Sequence, residues 1–398
     1  MTTFEQFFER ACGFAPYGYQ VRLARDGLPA VVQAPTGSGK TGIVLAWLWR
    51  RLHGPDPEAV PRRLIYALPQ RSLVEQVAAQ AEGWLDRLDL ADGVALHVVM
   101  GGDCKTQWPW RQSMHRPAIV VGTVDSLVSK ALNRGYGIGR AIYPVDFALV
   151  TNGAQWVIDE IQLCRESTTT LRQLAAFTES LGTAEPFGLT CMSATVPRTL
   201  LDTVDSPPLT EADVAAIEPG DRVGELAVRL GAQRNVWRLP AEPGDYQEIA
   251  RLVAGMHRPG TLTLAVMNTV DAARAVYTAL PSSEAERTLI HSRFRGRERR
   301  SLAAKIGADP SAAGHIVIAT QVVEAGLDLN AALMITEVAP WPSIVQRAGR
   351  TRRDDRSGRA EPSPPRANSH GSLTPSRPRC PSVATGCRSG RDCRLPSP

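Results

Sequence analysis

The residues best equipped for chemistry are Lys40 and Thr41, which end the run APTGSGKT at residues 34–41. Before it stands PAVVQA, a β-branched stretch that predicts a buried strand. After it comes GIVLAWLWRRL, whose apolar spacing predicts a helix closed by arginines. Strand, glycine-rich turn and helix in that order form a phosphate cradle. The loop of Thr36, Gly37, Ser38 and Gly39 can wrap a β-phosphate with its amides, and the helix N-terminus adds the positive end of its dipole. Lys40 would span the β- and γ-phosphates and Thr41 would ligate magnesium. Ala34 stands where the pattern usually begins with glycine. Of 45 basic residues only Lys40, Lys105, Lys130 and Lys305 are lysine, so the loop keeps an ammonium against the chain's preference for arginine. The two groups are not interchangeable on a phosphate. The loop is expected to lie exposed at a sheet edge, with Lys40 serving phosphate alone.

Two carboxylates follow. In FALVTNGAQWVIDEIQL the apolar WVI predicts a strand that delivers Asp159 and Glu160 at its C-terminal end, the edge of an open α/β sheet where ligands bind. Asp159 would hold the magnesium through water, and Glu160 would polarise the attacking water. Alone, such a pair is an ordinary helix N-terminal charge pair; the phosphate loop upstream is what favours catalysis. Further along, SIVQRAGRTRR sets Gln346, Arg347, Gly349, Arg350 and Arg353 in the pattern Q-R-x-G-R-x-x-R. Arginines from a second domain would reach the γ-phosphate held by the first, which makes domain closure a condition of hydrolysis.

These groups need elements to position them. A chain of 398 residues, 43% hydrophobic, can bury two domain-sized cores, and its strand-like and helix-like runs alternate in an α/β pattern. LIYALPQRSLVEQVAAQ reads as strand, turn and helix. AIVVGTVDSL repeats that form with Thr123 at the strand end, and MSAT at 192–195 follows another apolar run. In the second half, TLTLAVMNTVDAARAVYTAL is strand then helix, LIHSRFRGRERR a strand end with a basic turn, and HIVIATQVVEAGLDL strand then loop. The expected organisation is a first α/β domain over residues 1–222, a second, partial one over 223–355, and a tail over 356–398.

Composition removes several function classes. No apolar run approaches the roughly 20 residues of a membrane span, and MTTFEQFFER has no basic region before an apolar core, unlike a signal peptide. Seven cysteines without a C-x-x-C pair point to a reducing cytoplasm and away from a zinc site. The net charge of +5 is concentrated in residues 354–398, where eight arginines face four acids; the remaining +1 is no argument for nucleic-acid binding. Those last residues hold eight prolines, eight serines and no aromatic residue, a composition expected to be disordered. In an arginine-biased chain this abrupt change has the look of out-of-frame translation beginning near residues 351–356. Reading the gene in its other two frames tests that, and the absence of any continuation of the α/β pattern there would overturn it.

Taken in order, APTGSGKT, LPQRSLVEQ, DEIQ, SAT, ATQVVEAGLDL and QRAGRTRR resemble the motifs of a superfamily 2 helicase with two RecA-like domains. DEIQL, MSATVP, HSRF, TQVVEAGLDL and APWPSIVQRAGR further resemble the CRISPR-associated helicase-nuclease of type I interference. The resemblance spans about residues 14 to 353. It implies ATP-driven 3′-to-5′ translocation on single-stranded DNA, recruited by a crRNA-guided, Cascade-like surveillance complex. It implies that Gln20, with Tyr17 or Phe14, reads adenine. Pro69, Gln70, Arg71, Thr123, Asn268, His291, Arg293 and Thr320 would contact the strand's phosphates and sugars, with Gln70 standing where threonine is common. Ser193, Ala194 and Thr195 would couple nucleotide to strand, and Gly326 with Asp328 would link both sites. A member should continue into an accessory domain and often an HD nuclease; no His is followed by Asp here, so no nuclease activity is expected of this chain. The second reading is a catalytically impaired fragment that binds nucleotide or DNA; another superfamily 2 DNA or RNA helicase is a third.

Overall fold

The computed structural model describes residues 2–35, 37–100, 111, 114–135, 138–194, 198–231, 236–323 and 329–351. They fall into two compact units, one ending at Ala227 and the other beginning at Val228. Thr36, Thr195, Gly326, Asp328, Arg353 and the tail expected over 356–398 lie outside the described residues.

The first unit is built on seven strands: β1 (Val31–Gln33), β2 (Arg63–Leu68), β3 (Ala95–Val99), β4 (Ala118–Thr123), β5 (Ala154–Ile158), β6 (Gly188–Ser193) and β7 (Val214–Ala216). They pair in parallel in the order β3-β4-β2-β5-β6-β1-β7. Parallel strands covered on both faces read as unbroken apolar runs, and β2, β4 and β5 do so in LIYAL, AIVVG and WVI. Side chains alternate between two core layers. Leu64, Tyr66 and Leu68 of β2 enter one, with helices α1 (Phe4–Cys12), α2 (Gly18–Asp26), α3 (Ile43–His53) and α4 (Arg71–Arg87). Ile65 and Ala67 enter the other, under α5 (Val124–Ala131), α6 (Tyr143–Thr151) and α7 (Arg165–Leu181). Two of the buried indoles, Trp47 and Trp156, each give their N–H to a backbone carbonyl, of Pro61 and Val150, as buried indoles usually do.

The second unit carries β8 (Leu262–Val266), β9 (Glu286–Ile290), β10 (His315–Ala319) and β11 (Leu333–Thr336), again parallel, in the order β11-β8-β10-β9. Helices Tyr246–Met256 and Val270–Ala279 cover one face and Gly296–Gly307 the other. The basic stretch after β9, expected as a turn, instead enters this last helix. Glu298 accepts the Arg295 N–H at 3.0 Å, a one-sided cap that starts a helix despite the glycine at 296. Among the described residues no helix is long and apolar enough to cross a membrane.

One buried charge cluster fixes the α5–α6 side of the first unit. Asp146 of α6 is fully enclosed and accepts from Lys130 of α5 (2.8 Å) and from both forks of Arg111 (2.7 and 2.9 Å). Burial pulls the Lys130 ammonium below its usual range, and Asp146 opposes that shift. Removing one member of such a cluster strands the others. Asp146→Asn is expected to cost about 3–5 kcal/mol in denaturant unfolding; a change under about 1 kcal/mol would show that these cations find solvent easily.

Candidate functional site

Sheet order decides what meets what. At the C-terminal edge of the first sheet, β5, β6 and β1 are neighbours, so Asp159 and Glu160, Ser193 and Ala194, and the 34–41 loop come together. The adjoining strands β2 and β4 end in register at Leu68 and Thr123, which places Pro69, Gln70, Arg71 and Thr123 side by side along the same edge. Pro69, Gln70 and Thr123 are half-buried and Arg71 is exposed. The Thr123 hydroxyl is given to Ser126 Oγ at 2.8 Å.

The loop is held from outside by α2. Tyr19 donates its hydroxyl to the Ser38 carbonyl at 2.9 Å, and Gln20 gives its amide N–H to the Gly39 carbonyl at 2.8 Å while accepting from Tyr17 N. Gly39 lies at φ +79°, and a Cβ there would come within 3.0 Å of the Gln20 amide, so both backbone shape and space demand glycine. Ala34 in place of glycine is wholly buried, its N–H bonded to Ser193 O at 3.1 Å. Ser38 turns its hydroxyl back to Pro35 O at 2.7 Å.

Lys40 is not exposed. Its ammonium is buried, 2.9 Å from Glu160 Oε1 and 3.6 Å from Asp159 Oδ1. The expectation that it serves phosphate alone is therefore corrected: it also neutralises two carboxylates that burial would otherwise force together. Burial pulls the ammonium pKa down, but Glu160 and then Asp159 outweigh it and the net shift is upward. For Asp159 the balance differs: burial raises it, Lys40 lowers it, Glu160 raises it, and the carboxyl ends above its usual range.

Glu160 sits in left-handed backbone, φ 53° and ψ 49°, rare for a residue other than glycine. Its N–H bonds Asp159 Oδ1 at 2.9 Å, and Gln162 Nε2 bonds its Oε2. Gln162 in turn accepts from Ser193 Oγ at 2.6 Å. A continuous chain thus runs from Ser193 through Gln162 and Glu160 to Lys40. Sequence reasoning had not singled out Gln162, although it is the fourth letter of DEIQ. It also passed over Tyr66, whose phenol donates to Asp159 Oδ2 at 2.9 Å; the only sign of it was a hydroxyl inside an aliphatic strand. Asp159 and Thr41 both act on that phenol, so the two expected magnesium ligands come to one place. Two protein oxygens suit an ion that keeps most of its shell as water and phosphate.

In the second unit Asn268, His291 and Thr320 follow the ends of β8, β9 and β10, again one sheet edge. Asn268 is engaged internally: it donates to Val338 O at 2.8 Å and accepts from Arg347 Nη2 at 3.0 Å. Arg347 is wholly enclosed and also bonds Thr336 Oγ1 (2.6 Å) and Glu337 O (3.2 Å), so this arginine of the motif braces the unit's own sheet. Gln346 and Arg350 are buried beside it, in and after the helix Trp341–Ala348. His291 stacks on Phe294 with centroids 4.4 Å apart, and burial, then the charge of Arg293, lowers its pKa. Arg293 is exposed, 3.3 Å from Asp271.

Comparison with known proteins agrees with this layout. A DEAD/DEAH box helicase family matches residues 20–203, and the C-terminal family of the CRISPR-associated nuclease/helicase Cas3 matches residues 259–356. The CRISPR-associated nuclease/helicase Cas3 of Methanothermobacter thermautotrophicus is 27% identical over 364 residues, covering 86% of this chain and 40% of that protein. The CRISPR-associated helicase Cas3 of Thermoproteus tenax is 28% identical over 351 residues, covering 83% and 54%. The chain thus spans about half the length of these curated relatives. The crystal structure of T. fusca Cas3-ATP superposes over 88% of this chain and 45% of that one, with a TM-score of 0.61 at 20% identity, which shows a shared RecA-like fold. A DEAD/DEAH box helicase match followed by a Cas3-type C-terminal match, with Cas3 proteins aligned along most of its length, makes this chain similar over that length to Cas3-type helicases.

Proposed function

We propose that this chain is the ATP-dependent motor of type I CRISPR interference, moving 3′ to 5′ along single-stranded DNA in the cytoplasm and recruited by a crRNA-guided, Cascade-like complex. The observation that carries the reading is the Lys40–Glu160 contact beside Asp159, made across 120 residues at the C-terminal edge of a parallel sheet. Bound ATP and magnesium supply the phosphoryl group and the ion that screens it. Lys40 would leave its carboxylates for the γ-phosphate, Asp159 and Thr41 would hold the metal, and Glu160 would be freed to orient and deprotonate water. Gln20 and Tyr17 take the adenine end. Ser193, hydrogen-bonded to Gln162, relays the state of Glu160 towards the strand-contacting edge at Pro69, Gln70, Arg71 and Thr123, and Ala194 and Thr195, next in the sequence, share that coupling role. Asn268, His291, Arg293 and Thr320 form the second unit's contact edge, Gly326 and Asp328 join the two functions, and Gln346, Arg350 and Arg353 act on the γ-phosphate. Phosphate contacts position without specifying, so no DNA sequence preference is expected.

Lys40→Ala is expected to lose DNA-stimulated phosphate release; release at the parent rate would remove the nucleotide reading. The same variant reports on the carboxylates. Asp159 already has a raised folded pKa, so its favourable contribution is full below the ordinary carboxyl value and fades as pH rises through the folded one. Without Lys40 that folded pKa climbs further, and the variant's stability deficit should widen as pH rises above the ordinary carboxyl range. Denaturant midpoints at several pH values check the sign; a deficit that shrinks with pH would contradict it.

Arg350→Ala should lower DNA-stimulated turnover by roughly 10³ while ATP binding weakens far less, because such an arginine acts mainly on the transition state. Normal hydrolysis by this variant, with Lys40→Ala inactive, would leave a simple P-loop ATPase in place of a motor. Among the described residues no group of three or more His, Cys, Asp and Glu is placed to hold a metal ion. The purified chain should accordingly leave single-stranded DNA uncut with manganese, cobalt or magnesium, and cutting that follows the protein through purification would refute this.

A further inference from the structure

Tyr66 is a hydroxyl that no motif accounts for. It lies fully buried in β2, whose other inward side chains in the same layer, Leu64 and Leu68, are aliphatic. An aliphatic residue would fill that layer without needing a partner. The phenol instead reaches the nucleotide edge and donates to Asp159 Oδ2 at 2.9 Å, and Thr41 also acts on the phenol. The other carboxylate oxygen, Oδ1, accepts the Glu160 N–H at 2.9 Å and faces Lys40 Nζ at 3.6 Å. Both oxygens of Asp159 are therefore assigned, and the carboxylate cannot rotate without breaking a bond.

We propose that Tyr66 is a positioning residue for magnesium: its hydroxyl sets the plane of the Asp159 carboxylate, beside Thr41, for the ion that arrives with the nucleotide. The inference rests on the ATP reading given above and adds a residue to it. A carboxylate free to swing would turn Oδ2 towards the Lys40 ammonium, the nearest cation, and away from the metal. Tyr66 opposes that by giving Oδ2 a donor of its own while Oδ1 faces the lysine. Partners that orient metal ligands in this way are typically worth about 10- to 100-fold in metal affinity.

The test compares parent, Tyr66→Phe, Asp159→Asn and the double variant for binding of a fluorescent ADP analogue, first in EDTA and then through a magnesium titration. Electron paramagnetic resonance of manganese gives a second readout that does not depend on turnover. Tyr66→Phe is expected to bind the metal-free nucleotide like the parent but to need about 10-fold more magnesium for half of the metal-dependent gain, with a matching loss in manganese affinity. In the Asp159→Asn background the same change should add little, since Tyr66 acts through that carboxylate. An unchanged magnesium midpoint overturns the assignment. So does an equal loss with and without metal, or the disappearance of the variant's melting transition, because the hydroxyl would then be supporting the loop or the sheet. The parent's metal-free binding reports separately on the ATP reading: its absence overturns both, whereas its presence with an unchanged midpoint overturns the role of Tyr66 alone.

Discussion

The first unit's functional edge depends on one ammonium. Asp159 and Glu160 are consecutive, both are largely buried, and two carboxylates in such a place cannot both stay ionised without a cation between them. Lys40 supplies that charge, and the geometry around it follows. Glu160 accepts left-handed backbone because Lys40, Gln162 and the Asp159 carboxylate each hold part of it. Strain of this kind persists only where the surroundings over-determine it, and it gathers at sites that must change state. On the proposed reading, a phosphate arriving at the loop would compete for the same ammonium, so ligand charge and carboxylate charge would be read against each other at one atom.

That ammonium is in place only because the loop is braced. Tyr19 and Gln20 hold the carbonyls of Ser38 and Gly39 from α2. On its other side α2 is clamped by Arg22, which bonds both oxygens of Asp221 (2.9 and 2.7 Å) and the carbonyl of Ala216 at the end of β7. Partial burial raises the Asp221 carboxyl, but the Arg22 bonds outweigh it and the net shift is down, as for a committed ion pair. Since β7 pairs with β1, which leads into the loop, helix and loop are tied at both ends. The side-chain bonds from α2 go to backbone carbonyls of the loop, while the loop's own N–H groups at Ala34 and Ser38 are given to Ser193 O and Pro35 O.

The second unit uses an enclosed arginine to the same effect. Arg347 gathers Asn268, Thr336 and Glu337, residues from the ends of β8 and β11, into one network. A planar guanidinium with several fixed donors suits this better than an ammonium would. The arginine-rich motif therefore divides its labour: Arg347 shapes the sheet edge, and Arg350 follows it at the helix end, where the Arg350 carbonyl accepts from Ala331.

Much of this was legible in the linear chain. Unbroken apolar runs foretold β2, β4, β5, β8 and β10, because a parallel strand covered on both faces has no polar side to show. The strand-loop-helix order foretold the phosphate loop, and the rule that ligands gather at carboxyl ends of strands put Asp159 near it. Three strands, β3, β7 and β11, were not read: β7 and β11 have only three and four residues and β3, at the sheet edge, is mostly half-buried, and the basic turn after β9 was missed as a helix because its start is set by a cap at Glu298 and not by apolar spacing. What only the tertiary structure decided is which polar groups pair. Nothing in sequence spacing says that residue 40 meets residue 160, that residue 66 meets residue 159, or that Arg347 turns inward. Those choices follow from the strand order β2-β5-β6-β1 and β11-β8, which brings distant segments within hydrogen-bond reach, and from the cost of burying a charge, which leaves each of them the partner that the neighbouring strand presents.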